Sequence, residues 1–293
     1  MRSALLVHNL VAGQRRAPRL PDAVVAELTR GGYAVESAAV DDAPAATTAV
    51  AEAVSRGVSA VFALGGDGTV RDAAAGLRGS RVPLGVLPAG TTNVVARSLG
   101  VRLDPVLAAR DLCRGREREI DLGLCGGRPF LMQATVGFDA SLIASVSRPL
   151  KRRFGRAGIA LQGLGHWWRY RLAPLEVSVD GSLRRVRQIA VCNIPEYGGG
   201  FRIAPDGRFD DGWLDVVLFS GRSRRSLLLF YVDLVRGAHG RRSDVSIVRA
   251  RSVELLGPPG AAVQIDGDPV EGAFPLRVEL ARERLRMLVP AAA

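Results

Sequence analysis

A chain of 293 residues, 47% hydrophobic and 24% charged, suits two domains at about 150 residues each and excludes a disordered or fibrous protein. Its three cysteines, Cys113, Cys125 and Cys192, form no CxxC pair and leave an odd thiol, which excludes a disulfide framework. Forty basic against 29 acidic residues give a net charge of +11, with Lys151 the only lysine, so charge favours phosphate-bearing substrates, nucleic acid or an anionic membrane surface.

In chain order, strand-length apolar runs at Ala4 to Val7, Ala34 to Val40, Val58 to Leu64 and Pro83 to Leu87 alternate with helical stretches. The latter are Leu20 to Arg30, Pro44 to Ser55 and Asp72 to Leu77, with glycine stops at Gly31, Gly57 and Gly79. A further helix is expected over Asp104 to Arg114, with Pro at its first position. Such alternation predicts an α/β domain with a mostly parallel sheet covered by helices, whose ligands bind where loops leave the carboxyl ends of the strands. After Ile120-Asp121-Leu122 the period changes. Gly126-Gly127 and the Asp180-Gly181 pair between alternating runs signal hairpins, and β-like segments follow at Val191, Val216 to Phe219, Ser246 to Val248, Ala262 to Ile265 and Leu276 to Leu280. The second half therefore reads as a largely antiparallel β domain with helical inserts near Asp139 to Ser145, Lys151 to Arg171 and Ser226 to Arg236. No apolar run approaches the ~20 residues of a spanning helix, and no secretory leader pattern is present, which predicts a soluble cytoplasmic protein.

The sharpest local feature is Gly65-Gly66-Asp67-Gly68-Thr69, between a buried-strand pattern and a helix pattern. Glycines let backbone N–H groups approach an anion, and a helix start adds its positive dipole, so the loop suits phosphate. Asp67 beside phosphate is repelled unless a divalent metal or a proton to be abstracted justifies it, which points to phosphoryl transfer. A structural turn would use the same residue types. A second loop, Pro88-Ala89-Gly90-Thr91-Thr92-Asn93, follows the next strand and converges on the same crevice; Thr or Asn there reads equally well as a helix N-cap. Asn9 to Gly13 occupies the equivalent place after the first strand.

These loops, with Ala134-Thr135-Val136-Gly137-Phe138-Asp139-Ala140, Asp210-Asp211-Gly212-Trp213-Leu214-Asp215 and Ile265-Asp266-Gly267-Asp268-Pro269, resemble the diacylglycerol kinase catalytic family, which includes bacterial soluble lipid kinases and relatives acting on sphingosine and ceramide. The resemblance spans almost the whole chain. It implies a Rossmann-like α/β nucleotide-binding domain over 1–122 and a β-sandwich lipid-substrate domain over 123–293, the last residues free to pack back on the first domain. The active site would lie in the cleft between the two. It further implies transfer of the ATP γ-phosphoryl group to a lipid hydroxyl, that of diacylglycerol or a related lipid. Asn9, Gly13, Gly65, Gly66, Asp67, Gly68, Thr69, Val70, Arg71, Gly90, Thr91 and Asn93 would line the ATP site. Asp211, with the carbonyls of Arg208 and Trp213, would hold a structural Mg²⁺, for which hard oxygen ligands are suited. Asp268 would be the base, with Asp67 organising phosphates and catalytic Mg²⁺ and standing as the alternative base. Where the family has DGE the chain has Asp266-Gly267-Asp268, Gln14 replaces a basic residue, and Val94 follows Asn93.

Two other functions stay open at this stage: a soluble-substrate kinase of the NAD kinase type, and a catalytically silent lipid- or nucleotide-binding regulator. The stretch Arg148 to Arg171 combines Arg152, Arg153 and Arg156 with Trp167, Trp168 and Tyr170. It reads either as a peripheral contact with the inner face of an anionic membrane, where the lipid acceptor resides, or as a helix packed on the β domain. No nucleic-acid-binding pattern accompanies the charge. Exposed strand edges leave a homodimer open.

Overall fold

The first 120 residues build strands and helices from complementary local signals. The computed structural model describes residues 1–9, 18–145, 163, 165–197, 200–270 and 274–291. The Gly13 and Gln14 positions, and Arg148 to Gln162 with Leu164 of the basic stretch, lie outside the described residues. The elements are β1 (Arg2–His8), α1 (Leu20–Arg30), β2 (Tyr33–Ala39), α2 (Ala43–Ser55), β3 (Ala60–Gly65), α3 (Asp67–Gly76), β4 (Leu84–Pro88), α4 (Val94–Ser98), α5 (Pro105–Cys113) and β5 (Arg116–Ile120). Asp42 caps α2 by accepting from Ala45 N at 2.9 Å. Asp104 caps α5 by accepting from Val106 and Leu107 N at 3.0 Å. Each cap satisfies N–H groups that the first helical turn leaves unpaired, and Pro105 at the start of α5 has no N–H to waste.

Helix α3 begins at Asp67 rather than near Asp72, so its first turn is made of the glycine-rich motif itself. Gly66 is extended at φ −88°, ψ −178°, and Val70 N donates to its carbonyl at 3.2 Å. Gly68 and Thr69 are poor helix formers, which is why propensity hides this turn.

Packing divides the chain into Met1–Ile120 with Glu283–Ala293, and Asp121–Arg282. In the first unit, β1 pairs in parallel with β2 and β3, and β3 with β4. Register places His8 opposite Leu64 and Gly65 opposite Pro88, so three strands end in one row. Every residue of β3 is buried. Helix α1 packs on α5 and α2 on α3, the covering expected of a parallel sheet.

The second unit holds β6 (Gly123–Cys125), β7 (Arg128–Phe130), β8 (Gln133–Val136), α6 (Phe138–Ser145), β9 (Leu175–Val179), β10 (Ser182–Val186), β11 (Gln188–Cys192), β12 (Glu196–Tyr197), β13 (Phe201–Arg202), β14 (Leu214–Phe219), α7 (Arg224–Val235), β15 (Val245–Ala250), β16 (Ser252–Gly257), β17 (Val263–Ile265), β18 (Asp268–Val270) and β19 (Leu276–Leu280). Two six-stranded sheets form, ordered β10-β9-β16-β19-β6-β7 and β15-β14-β11-β8-β17-β18, beside the small β12-β13 ribbon. Their facing side chains share one core, including Val177, Val253 and Val278 from the first and Ile189, Val191, Val216 and Ile265 from the second. This is a β-sandwich. On the other face of the second sheet, Ala190, Cys192, Val217 and Phe219 pack against Leu227, Phe230 and Leu234 of α7. Because both of their faces are covered, β11 and β14 read as continuous apolar runs rather than alternating ones.

The chain then returns to the first unit as β20 (Leu285–Val289), parallel to β4 and antiparallel to β5. The architecture is an α/β unit with a parallel-rich sheet plus an antiparallel sandwich.

Candidate functional site

In the first unit, the carboxyl ends of β1, β3 and β4 bring the glycine loops together. Asn9 N donates to Leu64 O at 3.1 Å and Ala89 N to Gly65 O at 2.8 Å. Gly66 and Gly90 face each other so closely that a Cβ on Gly90 would stand 2.5 Å from Gly66 Cα, closer than non-bonded carbons approach. Asn93 sits at φ 48°, ψ 50° and does not cap α4 with its side chain. It instead folds back, accepting from Gly90 N and donating to Gly90 O, both at 2.9 Å.

Asp67 supplies what Asn93 does not. Its Oδ1 accepts from Val95 N in the first turn of α4 at 3.0 Å, and its Oδ2 accepts from Thr92 Oγ1 at 2.9 Å. The carboxylate thus ties one glycine loop to the other across 25 and 28 residues of sequence. Each oxygen keeps a second lone pair. Gly68, Thr69, Val70 and Arg71 lie in the first turns of α3, with Arg71 paired to Asp72 at 2.9 Å, and Thr91 is exposed.

In the second unit, Asp266 at φ 50° and Gly267 at φ 84° form the two-residue turn between β17 and β18, both in the left-handed region that a type I′ hairpin turn requires. The Asp266 carboxylate is buried and accepts from Leu131 N at 2.8 Å and from Met132 and Gln133 N at 2.9 Å. Asp268, two residues on, opens β18 and is partly exposed. Of the two carboxylates, Asp266 is committed to the backbone and Asp268 is the more exposed.

The same network continues towards the Asp210-Asp211-Gly212 loop. Asn193 Nδ2 donates to Leu131 O at 2.9 Å and to Asp121 O at 2.8 Å. Asp121 N donates to Phe209 O, and Asp121 Oδ2 accepts from Gly212 N, both at 2.7 Å. Neither Asn193 nor Asp121 carried a motif signal, because each acts on backbone far away in sequence.

Residues 3–125 match the family model of the diacylglycerol kinase catalytic domain, and residues 133–289 that of the YegS C-terminal NAD kinase beta sandwich-like domain. The diacylglycerol kinase of Mycobacterium tuberculosis is 32% identical over 291 residues, covering 94% of each chain. The chain belongs to the diacylglycerol kinase family. The Bacillus subtilis diacylglycerol kinase is 28% identical over 273 residues, covering 92% of this chain and 90% of that one. A crystal structure of a diacylglycerol kinase from Bacillus anthracis, 20% identical, shares the fold at a TM-score of 0.74, covering 98% of this chain and 97% of that one. Membership makes this a kinase of the lipid-kinase class, and a kinase implies use of ATP. Among the described residues, no helix is long and apolar enough to cross a membrane.

Kinases of this family invite a test for Mg²⁺ at Asp211. Among the described residues, no group of three or more His, Cys, Asp or Glu is arranged to hold a metal ion. The Asp211 loop nevertheless concentrates negative charge: burial, then the neighbouring Asp211 and Asp206, push Asp215 up to about 6 against the opposing pull of Arg249. The Arg249 guanidinium stands at this point, 2.7 Å from Asp211 Oδ2 and 3.8 Å from Asp215. Asp211 Oδ1 accepts from Trp213 N at 3.1 Å. Arg249 thus answers the charge of both carboxylates, whose hard oxygens are of the kind a hard cation takes.

The resembling motif around Phe138-Asp139 contains a residue with no role assigned from sequence. Asp139 is buried, its Oδ2 accepts from Thr135 Oγ1 and from Tyr197 Oη, both at 2.7 Å, and burial raises its pKa. Its Oδ1 has no hydrogen-bond partner among the described residues.

Proposed function

We propose that this member of the diacylglycerol kinase family transfers the γ-phosphoryl group of ATP to the hydroxyl of diacylglycerol or a closely related lipid. The observation that carries the reading is the direct contact of Gly66 with Gly90, locked by Asp67, at the carboxyl ends of parallel strands. Phosphoryl transfer depends on positioning and on charge stabilisation rather than on covalent chemistry by the protein. Backbone N–H groups of Gly68 and Thr69 at the start of α3 would meet the phosphates, with Asn9, Gly13, Gly65, Gly66, Val70, Arg71, Gly90, Thr91 and Asn93 around the nucleotide. Asp67 keeps the two loops at fixed separation and adds a carboxylate beside the phosphate groups. Asp268 would accept the proton of the lipid hydroxyl, a role that Asp266 cannot share because its oxygens hold three backbone N–H groups. Asp211 and the Arg208 and Trp213 carbonyls would hold Mg²⁺, which when bound neutralises charge at that loop in place of Arg249.

The test is incubation of the purified protein with γ-labelled ATP, Mg²⁺ and diacylglycerol in mixed micelles, with NAD in a parallel reaction. Label in the organic phase, lost in Asp268→Ala and retained in Asp268→Glu, is expected. Label on NAD with none on any lipid would favour a soluble-substrate kinase. ATP binding without transfer to either acceptor would favour a silent regulator.

A further inference from the structure

Helix α7 turns Leu227, Phe230 and Leu234 into the second unit, an i, i+3, i+7 spacing that covers one side of a helix. The opposite side should be polar. Instead, Leu228 is 51% exposed, Leu229 40% and Val235 59%, and Trp168, whose carbonyl accepts from Arg224 Nη2 at 2.9 Å, is 68% exposed. Three of the seven exposed large hydrophobic side chains among the described residues therefore lie on the outward side of α7, and a fourth, Trp168, belongs to the segment held at its first turn by Arg224. Trp167 and Tyr170, on either side, pack inward on Phe138 with ring centroids 5.4 and 5.2 Å apart. Trp168 is turned outward while its neighbours anchor the segment.

The charge around this face has one sign. Arg222, Arg225 and Arg236 are exposed and carry no ion pair among the described residues, and Arg169 and Arg171 lie beside Trp168. The one acid of α7, Asp233, is paired with Arg242 at 2.9 Å, and Asp244 is held by the same guanidinium at 2.8 Å. Both of these acids are thus already neutralised by Arg242.

We infer that the outer face of α7, with Trp168, docks this protein on an anionic lipid bilayer. Exposed leucine, valine and tryptophan flanked by arginine is the composition that settles at the headgroup level, apolar side chains entering the acyl boundary and guanidinium groups meeting lipid phosphate. A second copy of the chain fits poorly, since a two-fold contact would set arginines against arginines. Nucleic acid would use the charge and leave the apolar side chains in water. The inference deepens the lipid-kinase reading by naming how the protein reaches its acceptor, and rests on it only for the purpose of docking.

The experiment is co-sedimentation of the full chain with vesicles of phosphatidylcholine alone or with phosphatidylglycerol, at low and high salt. Wild type is expected to bind the anionic vesicles and to lose binding as salt rises. Leu228→Ser combined with Leu229→Ser, both at exposed positions, should lower vesicle partitioning by about tenfold or more, as should Trp168→Ser, whereas Trp168→Phe should retain most of it. Arg225→Ala with Arg236→Ala should lower it by about tenfold at low salt. The melting temperature and transfer to a short-chain, micelle-free diacylglycerol should not change in any of these. Equal vesicle binding by wild type and the leucine variant would overturn the inference, as would a wild-type dimer that the leucine variant dissolves with vesicle binding intact. Vesicle binding without phosphoryl transfer would leave docking standing and remove the kinase reading; transfer without vesicle binding would do the reverse.

Discussion

Asp67 separates bracing from chemistry, because its two substitutions remove different things. Asp67→Ala deletes acceptors for Val95 N and for Thr92 Oγ1. A lost helix cap costs about 0.5–2 kcal/mol, and a hydrogen bond to a charged acceptor about 1.5–3 kcal/mol where fully buried. Both bonds are only partly buried, so a combined loss of about 1–3 kcal/mol is expected, or roughly 3–8 °C in melting temperature for a unit of this size. Asp67→Asn keeps an oxygen for Val95 N, and the Thr92 hydroxyl can rotate to accept from the new amide. Its stability cost should stay below about 1 kcal/mol. The assay is thermal unfolding of both variants beside the initial rate of phosphoryl transfer from labelled ATP. Asp67→Asn should fold normally and lose about 10²–10³-fold in rate, while Asp67→Ala should lose both. An Asp67→Ala protein with the wild-type melting temperature would refute the bracing argument. A fully active Asp67→Asn protein would reduce Asp67 to a brace alone.

Gly90→Ala should force the two loops apart and raise the KM for ATP by about tenfold or more, read from initial rates across ATP concentration; an unchanged KM would place the nucleotide elsewhere. Asp266→Asn should lower stability by about 2–3 kcal/mol, since its amide would meet a backbone N–H where an acceptor is needed, measured by urea unfolding. For Asp139, burial raises the folded pKa above the ordinary 3.8, so the folded state binds the extra proton and stability falls as pH rises from there until the buried group ionises. Asp139→Asn keeps an acceptor for Thr135 and Tyr197 and should gain stability over wild type as pH rises above the ordinary carboxyl value of 3.8; a pH-independent difference would contradict this.

Much of the fold was legible because its signals are local. Leu20–Arg30 announces itself by a polar start and apolar period, and Asp104-Pro105 by cap and first-turn chemistry. The Asp180-Gly181 hairpin needs only its two turn residues. Family membership followed from motifs in the right order along the chain. What sequence concealed depends on partners distant in the chain. The Asp266 carboxylate acts on backbone 133 to 135 residues away, and Asp67 reaches 28 residues to cap another helix. Strand β20 enters between β4 and β5, a sheet position that no residue in it encodes. The outward leucines of α7 follow the helical period of an apolar run, and only burial separates Leu227 from Leu228.

The most direct measurement is amide hydrogen exchange of the full chain with and without ATP and Mg²⁺. Nucleotide-dependent protection is expected over residues 65–71 and 89–95, the loops that Asp67 joins. Protection confined to other segments, with ATP demonstrably bound, would contradict the assignment of these glycine loops as the phosphate site.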